Sequence, residues 1–514
     1  MVQGYNSVPR AQGDSNTSKH TTHLSEFMDE LWPGKDQIMR SERLVLDLPN
    51  NDTIRAYLKE YTSVAHLAGS DNDKTQAEWT RDKFIEFDIT NTTIETYYPL
   101  LTYPVKRRLA IISGPQEKRY EARLREETVD EDETSKNPDT VPTFHGMSKN
   151  GTATGPVVYA NYGRFEDFQY LVDQGVNLTG TSALMRYGAI LRGLQIRAAE
   201  QHGCVSALIY SDPIEDGPIN KKEYPHNSQD SVSYLSLATG NLLTPGYTAT
   251  KDAVRLPREQ VEHLKPSIPS LPISWEDALP LLKATQGRGV RGSVDWVGGL
   301  NKVDYCSGPS EGDIHLVNII DEKISPIWDV IGVIEGAVDP DSNHRDAWVY
   351  GAVDPSFGSA SMLELARVFG EMLKTGWRPA RTIVFASWDA EEYGLIGSTE
   401  WVEDNKAWLS DKAAVYINVD VAVCGPYFEA AASPSLNNLL YDVTTNVQDP
   451  RTGKSVYEAW SEFTNRTSRP SPKPAIGQLG SGSDFVPFLD HLGIASIDMS
   501  FSGDYGVYHS NFDR

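Results

Sequence analysis

The 514-residue chain holds only three cysteines, Cys204, Cys306 and Cys424, widely separated and with no CxxC spacing. A cysteine zinc ribbon and a disulfide framework are thereby excluded, and at most one disulfide can form. Basic residues are scarce: 47 Lys and Arg against 71 Asp and Glu leave a formal charge of -24. A field of that sign repels phosphate backbones and anionic lipid, so no nucleic-acid partner is expected. No run of 18 apolar residues occurs, and Met1 to Trp32 lacks the apolar stretch of a signal peptide. Neither a membrane segment nor an address is therefore expected in this chain.

Apolar side chains are plentiful, at 39% with 10% aromatic, enough for a sizeable core. The length calls for about two or three folding units, at roughly 150 residues each. Six Asn-X-Ser/Thr triplets begin at Asn16, Asn51, Asn91, Asn150, Asn177 and Asn465, the pattern of a glycoprotein.

Residues 1–48 are polar and predict a mobile tail ending in a short helical stretch. The acidic run Glu126, Glu127, Asp130, Glu131, Asp132 and Glu133 predicts a solvated loop, with an acidic calcium loop as the alternative. From Thr152, short apolar runs at 155–160, 182–187 and 204–210 are separated by turns and flank a helix near 195–201, which predicts a β-rich or α+β unit.

Between Ser359 and Asp420 the pattern is most regular. Met362, Leu363, Ala366, Phe369 and Leu373 line one helical face, Gly376 supplies a stop and Pro379 follows. The apolar runs 381–388 and 414–419 predict buried strands, so this part is α/β: a mostly parallel sheet flanked by helices. Ligands of such sheets collect beyond the carboxyl ends of the strands. Asp389, Glu391 and Glu392 follow the first of these strands and Asp420 the second, while Asp354 precedes the long helix; His344 and His509 lie further out. Crowded acids repel one another unless a cation intervenes. Each has a plainer explanation singly, as a cap or a surface residue, but together two histidines and several carboxylates suit a divalent metal.

The segments 344–355 (HRDAWVYGAVDP), 385–401 (FASWDAEEYGLIGSTEW), 415–420 (VYINVD) and 508–510 (YHS) resemble, in order, the motifs of the M28 family of dizinc exopeptidases in its glutamate carboxypeptidase II branch. The likeness extends to His66-Leu-Ala-Gly69, residues 161–168 and 243–247. It implies peptidase parts at 49–112 and 318–514, with a protease-associated, or apical, domain inserted at 113–317. It makes Asp354 the carboxylate bridging two zinc ions, His344 and Asp420 the other ligands of one, Glu392 and His509 those of the other. Asp346 is then the acceptor that orients His344, and Glu391 the general base. By the same resemblance Arg164 holds a substrate's terminal carboxylate, Gly482, Asp498 and Tyr508 face the substrate, and Thr244, Tyr247, Glu400 and Glu403 form a structural calcium site. The implied activity is removal of the C-terminal residue of small peptides. Inactive receptor-like relatives of the transferrin receptor kind, and an aminopeptidase reading a free amine through Asp498, are the alternatives.

Three departures from the family set further expectations. Ser483 replaces an asparagine, and Asp498 and Ser500 stand where that branch carries two arginines, so no preference for an acidic penultimate residue is expected. The segment Glu335 to Asn343 is about one strand, roughly five residues, too short, so the strand leading into His344 is expected to be missing. The chain stops at Arg514, where the family continues into a helical dimerisation domain, so the family's homodimer is not expected. By resemblance the compartment is secretory, vacuolar or extracellular.

Overall fold

The computed structural model describes residues 35–513, apart from 138–139, 216–225, 235–239, 302, 337–338 and 468–470. Most of the expected polar tail, with the Asn16 triplet, lies outside the described residues; its end is the expected helix, Lys35–Asp47. No helix among the described residues is long and apolar enough to cross a membrane.

Two seven-stranded sheets organise the chain. The first runs, edge to edge, Asn91–Tyr97, Ile327–Ile334, Ile383–Trp388, Asp339–His344, Val415–Asn418, Ala495–Ser502 and Tyr427–Ala432. Its four central strands, Ile383–Trp388 to Ala495–Ser502, pair in parallel, while the outer pairings are antiparallel. The sheet is therefore mixed rather than mostly parallel. Only the centre needs helical crossovers, and the edges close by antiparallel pairing.

The strand expected to be missing is present. Asp339–His344 fills the slot between two apolar strands, with Asp339 opposite Ile383, His344 opposite Trp388 and Ser342 opposite Asn418. Its sequence, Asp-Pro-Asp-Ser-Asn-His, has none of the β-branched or aromatic residues that mark strands, and Pro340 gives the ladder no donor. Its position follows from its neighbours: exposed main-chain groups on both sides require a partner.

The helix Phe357–Lys374 lies on this sheet and buries Met362, Leu363, Ala366, Val368 and Met372. It starts five residues before the expected apolar face and ends two before Gly376, whose φ is +88°. On the same side, Phe84 and Phe87 of the N-terminal segment join Val330, Leu363 and Phe385 in one buried cluster. That cluster seats the sheet's flank.

The second sheet runs Tyr120–Glu121, Leu100–Ile111, Asp313–Ile324, Gly151–Tyr159, Ser182–Arg186, Ser206–Tyr210 and Ser270–Ile273. Three of its strands match the apolar runs, and the helix Arg192–Gln201 matches the expected one. The strands Leu100–Ile111 and Asp313–Ile324 pair with each other over their whole length, so this sheet reaches beyond the divisions expected at 112/113 and 317/318. The acidic run is not wholly solvated: Glu126 is buried, Asp132 caps Thr134, and Lys136 pairs with Glu133.

Candidate metal centre

Three features converge at the carboxyl ends of the parallel strands. His344 ends one strand, Glu391 and Glu392 follow Trp388, and Asp420 follows Asn418. Asn343 and Ser359 fix the approach of the helix Phe357–Lys374: Ser359 Oγ donates to the His344 carbonyl at 2.7 Å, and Asn343 Nδ2 donates to the same carbonyl at 2.8 Å and to Pro355 O at 3.2 Å. This places Asp354 over the strand end. Arg345, fully buried, anchors the turn after His344 to Asp73 at 2.9 Å and Asp389 at 3.3 Å.

The carboxylate of Asp354 faces two imidazoles with different oxygens. Its Oδ1 lies 3.5 Å from His344 Nε2, and its Oδ2 lies 3.2 Å from His509 Nε2. Asp420 Oδ1 stands 2.9 Å from His344 Nε2, Glu391 Oε2 stands 3.9 Å from the same atom, and Glu392 Oε2 is 3.0 Å from His509 Nε2. Two clusters result, His344 with Glu391 and Asp420, and Asp354 with Glu392 and His509, each with ligand atoms within 4.8 Å of one another. Glu392 Oε1 is buried without a hydrogen-bond partner.

The far nitrogens of both rings are occupied by main-chain carbonyls. His344 Nδ1 contacts Asp346 O at 3.1 Å, and His509 Nδ1 contacts Gln229 O at 2.7 Å. The Asp346 carboxylate is 3.6 Å from His344 Nδ1, and its Oδ1 accepts the Glu391 amide proton at 2.9 Å. Asp346 thus touches both the imidazole and the backbone of the neighbouring acid.

Electrostatics show what the site needs. Burial, opposed by His344 and aided by repulsion from Asp420, Asp484 and Glu392, pushes Glu391 well above the ordinary carboxylate range. Burial, partly offset by His509, pushes Glu392 up to about 8. Burial disfavours charge on His344 and His509, yet Asp420 and Glu391 around the first and Glu392 and Asp354 around the second hold both well above the usual imidazole value. Despite its burial, the two histidines hold Asp354 below the carboxylate range. Protons here occupy positions suited to cations.

A family model for peptidase family M28 matches residues 328–514. A probable glutamate carboxypeptidase of Arthroderma benhamiae is 38% identical over 96% of this chain and 68% of its own. The chain belongs to peptidase family M28. The probable glutamate carboxypeptidase LAMP1 of Arabidopsis thaliana is 39% identical over 90% of this chain and 67% of its own, and the aminopeptidase NAALADL1 of mouse 34% identical over 100% and 72%. Among solved structures, a peptidase M28 precursor from Shewanella amazonensis SB2B shares the fold with TM-score 0.56 at 15% identity, covering 92% of this chain and 90% of that one. A zinc aminopeptidase from Bacillus subtilis does so with TM-score 0.51 at 17% identity, covering 91% and 90%.

In this M28 chain a cavity of about 160 Å³ opens onto Asp354, Glu391, Glu392, Asp420 and His509, with Gly482 and Tyr508 in its wall. Tyr508 stacks on the His509 ring at 3.6 Å between centroids. Burial keeps its hydroxyl protonated, with a pKa well above 10. Asp498 does not line this cavity and lies three hydrogen bonds from Asp420: Asn418 Nδ2 donates to Asp498 Oδ1 at 3.0 Å and to Ser483 Oγ at 2.9 Å, and Ser483 Oγ donates to Asp420 Oδ2 at 2.5 Å.

Arg164 is not among the residues lining this cavity. It precedes the helix Phe165–Asp173, and its guanidinium grips Asp167 through two 3.0 Å bonds. The arginine at the cavity wall is Arg192, which sequence reasoning missed; it pairs with Asp230, donates to Tyr187 Oη at 2.6 Å and lies 5.6 Å from the Tyr508 ring. Only its place after a strand, at the start of a helix, hinted at a site.

Of the expected calcium residues, Glu400 and Thr244 meet at Asn241. Glu400 accepts the main-chain protons of Asn241, at 2.8 Å, and Ala249. Burial, then repulsion from Glu400, lifts Glu403 to about 8, and burial lifts Glu400 to about 7. Thr244 Oγ1 accepts from Asn241 Nδ2 at 2.8 Å, while Tyr247 Oη donates to Val254 O at 2.5 Å. Glu403 Oε2 is buried without a partner.

Proposed function

We propose that this M28 chain is a dizinc exopeptidase that removes the C-terminal residue of small peptides. The observation that carries the reading is the split of the Asp354 carboxylate, one oxygen towards His344 and the other towards His509. The imidazole and carboxylate donors, with an orphaned Glu392 oxygen, fit zinc. His344 and Asp420 would hold one ion and Glu392 and His509 the other, with Asp354 shared. Zinc at such a site supplies Lewis acidity and renders water ionisable near neutral pH.

The chain's own residues do the rest. Glu391, raised by burial and open to the cavity, takes the proton of the attacking water and passes it to the leaving amine. The Asp346 carboxylate holds the Glu391 main chain in place. Tyr508 keeps its proton and can donate it to the oxyanion of the tetrahedral intermediate. Gly482 and Asp498 border the substrate, and the second-sheet unit serves as the protease-associated domain. Thr244, Tyr247, Glu400 and Glu403 are assigned a structural calcium ion: a buried and a half-buried acid, both raised by desolvation, would be relieved by a cation.

A second reading, aminopeptidase, is favoured by one observation. The arginine at the cavity wall, Arg192, is already paired with Asp230, and Arg164 with Asp167. An N-acetylated dipeptide and its free-amine and C-amidated forms separate the two. Turnover of the acetylated form, abolished by amidation, supports the carboxypeptidase; turnover of the free-amine and amidated forms alone transfers the assignment. Two zinc per purified chain are expected, and a chain that retains no metal belongs with the inert, receptor-like relatives.

A further inference from the structure

We propose that Glu126, on the second-sheet side, is a positioning residue for the metal ligand His509, a role that rests on the dizinc reading above. Glu126 is 8% exposed, although it opens an acidic run. Its two oxygens accept main-chain protons from different segments: Oε1 from Asn227 at 2.8 Å and Oε2 from Asn511 at 2.7 Å. The carboxylate therefore ties residues 226–231 to the loop carrying Tyr508 and His509. Between those ties the two segments are laced together. Ser228 Oγ donates to Tyr508 O at 3.1 Å, the Gln229 amide donates to His509 O at 3.2 Å, and the Gln229 carbonyl meets His509 Nδ1 at 2.7 Å.

That last contact sets the tautomer. With Nδ1 engaged by Gln229 O, Nε2 is the nitrogen turned towards Glu392 and Asp354 and left to ligate an ion. His509 has φ of +55°, a backbone state that a histidine does not hold without support, and the lacing supplies it. Glutamine at 126 keeps one acceptor and turns the other into an NH2 group opposing an amide proton, so one tie is lost and a donor faces a donor. Both of these hydrogen bonds to Glu126 come from main-chain amides, so its influence on His509 runs through the backbone. His344 and Asp420 are carried by the ends of two parallel strands rather than by this lacing, so their ion should sense its loss only through the shared Asp354.

Cobalt(II) titration of the metal-free chain, followed by visible absorption, tests this with the wild type, Glu126→Gln and Glu127→Gln. Glu127 is an exposed neighbour that pairs with Arg123, and its variant should match the wild type. The expected result is two ions per wild-type chain. In Glu126→Gln the first ion should bind as in the wild type and the second about 10–100-fold more weakly, with the melting temperature of the metal-free protein unchanged. Two ions of wild-type affinity in Glu126→Gln would overturn the role of Glu126, as would equal weakening of both ions with a lowered metal-free melting temperature, the mark of a residue that only supports the fold. Fewer than two ions in the wild type withdraws the dizinc reading and this role with it. If Glu126→Gln does not fold, Glu126→Asp, which keeps charge and acceptors with shorter reach, should show the same selective loss; its failure to fold also overturns the role.

Discussion

Gly358 lies against the main chain of Asp420: a Cβ added to the glycine would stand 2.4 Å from the Asp420 carbonyl oxygen and 2.2 Å from that of Val419. The contact sets how closely the helix that follows Asp354 approaches the strand that carries Asp420. Both obstructing atoms are backbone, so neither can swing aside. Gly358→Ala is expected to cost about 1–3 kcal/mol by overpacking and to separate Asp354 from Asp420. Thermal melting and zinc retention measured together check this; an alanine variant with unchanged melting and two zinc would show that the helix can shift freely.

Glu391→Gln separates proton transfer from metal binding. The glutamine preserves the shape and the main-chain bond to Asp346 but cannot take a proton. The expected loss in kcat is about 10²–10⁴-fold, with KM and zinc content near those of the parent. If the variant lost zinc in parallel with activity, Glu391 would be a ligand rather than the base, a role its place beside His344 and Asp420 would then explain.

The sequence already placed the acids at strand ends, because Ile383–Trp388 is apolar and continuous and the acids follow it directly. The helix Phe357–Lys374 was legible from its apolar face, but its first turn was not: Gly358 and Ser359 are set by contact with Asp420 and His344 rather than by periodicity. The strand Asp339–His344 was invisible for the opposite reason, since its residues disfavour strands and only the two flanking strands impose the conformation. Arg192 escaped notice, and Glu126 was read only as part of a solvated acidic run, because their contacts are with residues 508–511, some 300–400 positions away in sequence. Arg164 was singled out by local motif, yet its nearest partner is Asp167, three residues on.

Glu400 and Glu403 make a separate prediction. Burial raises both acids, Glu400 adds to the rise of Glu403, and Glu403 Oε2 is buried without a partner. Calcium added to the chelator-treated protein should raise its melting temperature, by mass action worth about 2.7 kcal/mol at a concentration 100 times Kd. Glu403→Gln should abolish the increase without altering zinc content. A melting temperature indifferent to calcium in the parent would remove the proposed site.

On the proposed reading, Asp498 links substrate preference to pH. Its carboxyl is raised to about 6, chiefly by burial, with the hydrogen bond from Asn418 opposing. Between pH 3.8 and about 6 the unfolded chain has released this proton while the folded chain still holds it. For this group stability is therefore greatest below pH 3.8 and falls as pH rises through that window. Asp498→Asn should remove that contribution, so its melting temperature, measured without metal, should fall less between pH 4 and 6 than that of the parent. Above pH 6 the ionised Asp498 disfavours an acidic penultimate side chain, so dipeptides with neutral or basic residues there should show higher kcat/KM than those with Asp or Glu, and the asparagine variant should narrow the gap. A parent enzyme that prefers Asp or Glu at that position would place the penultimate side chain elsewhere than beside Asp498.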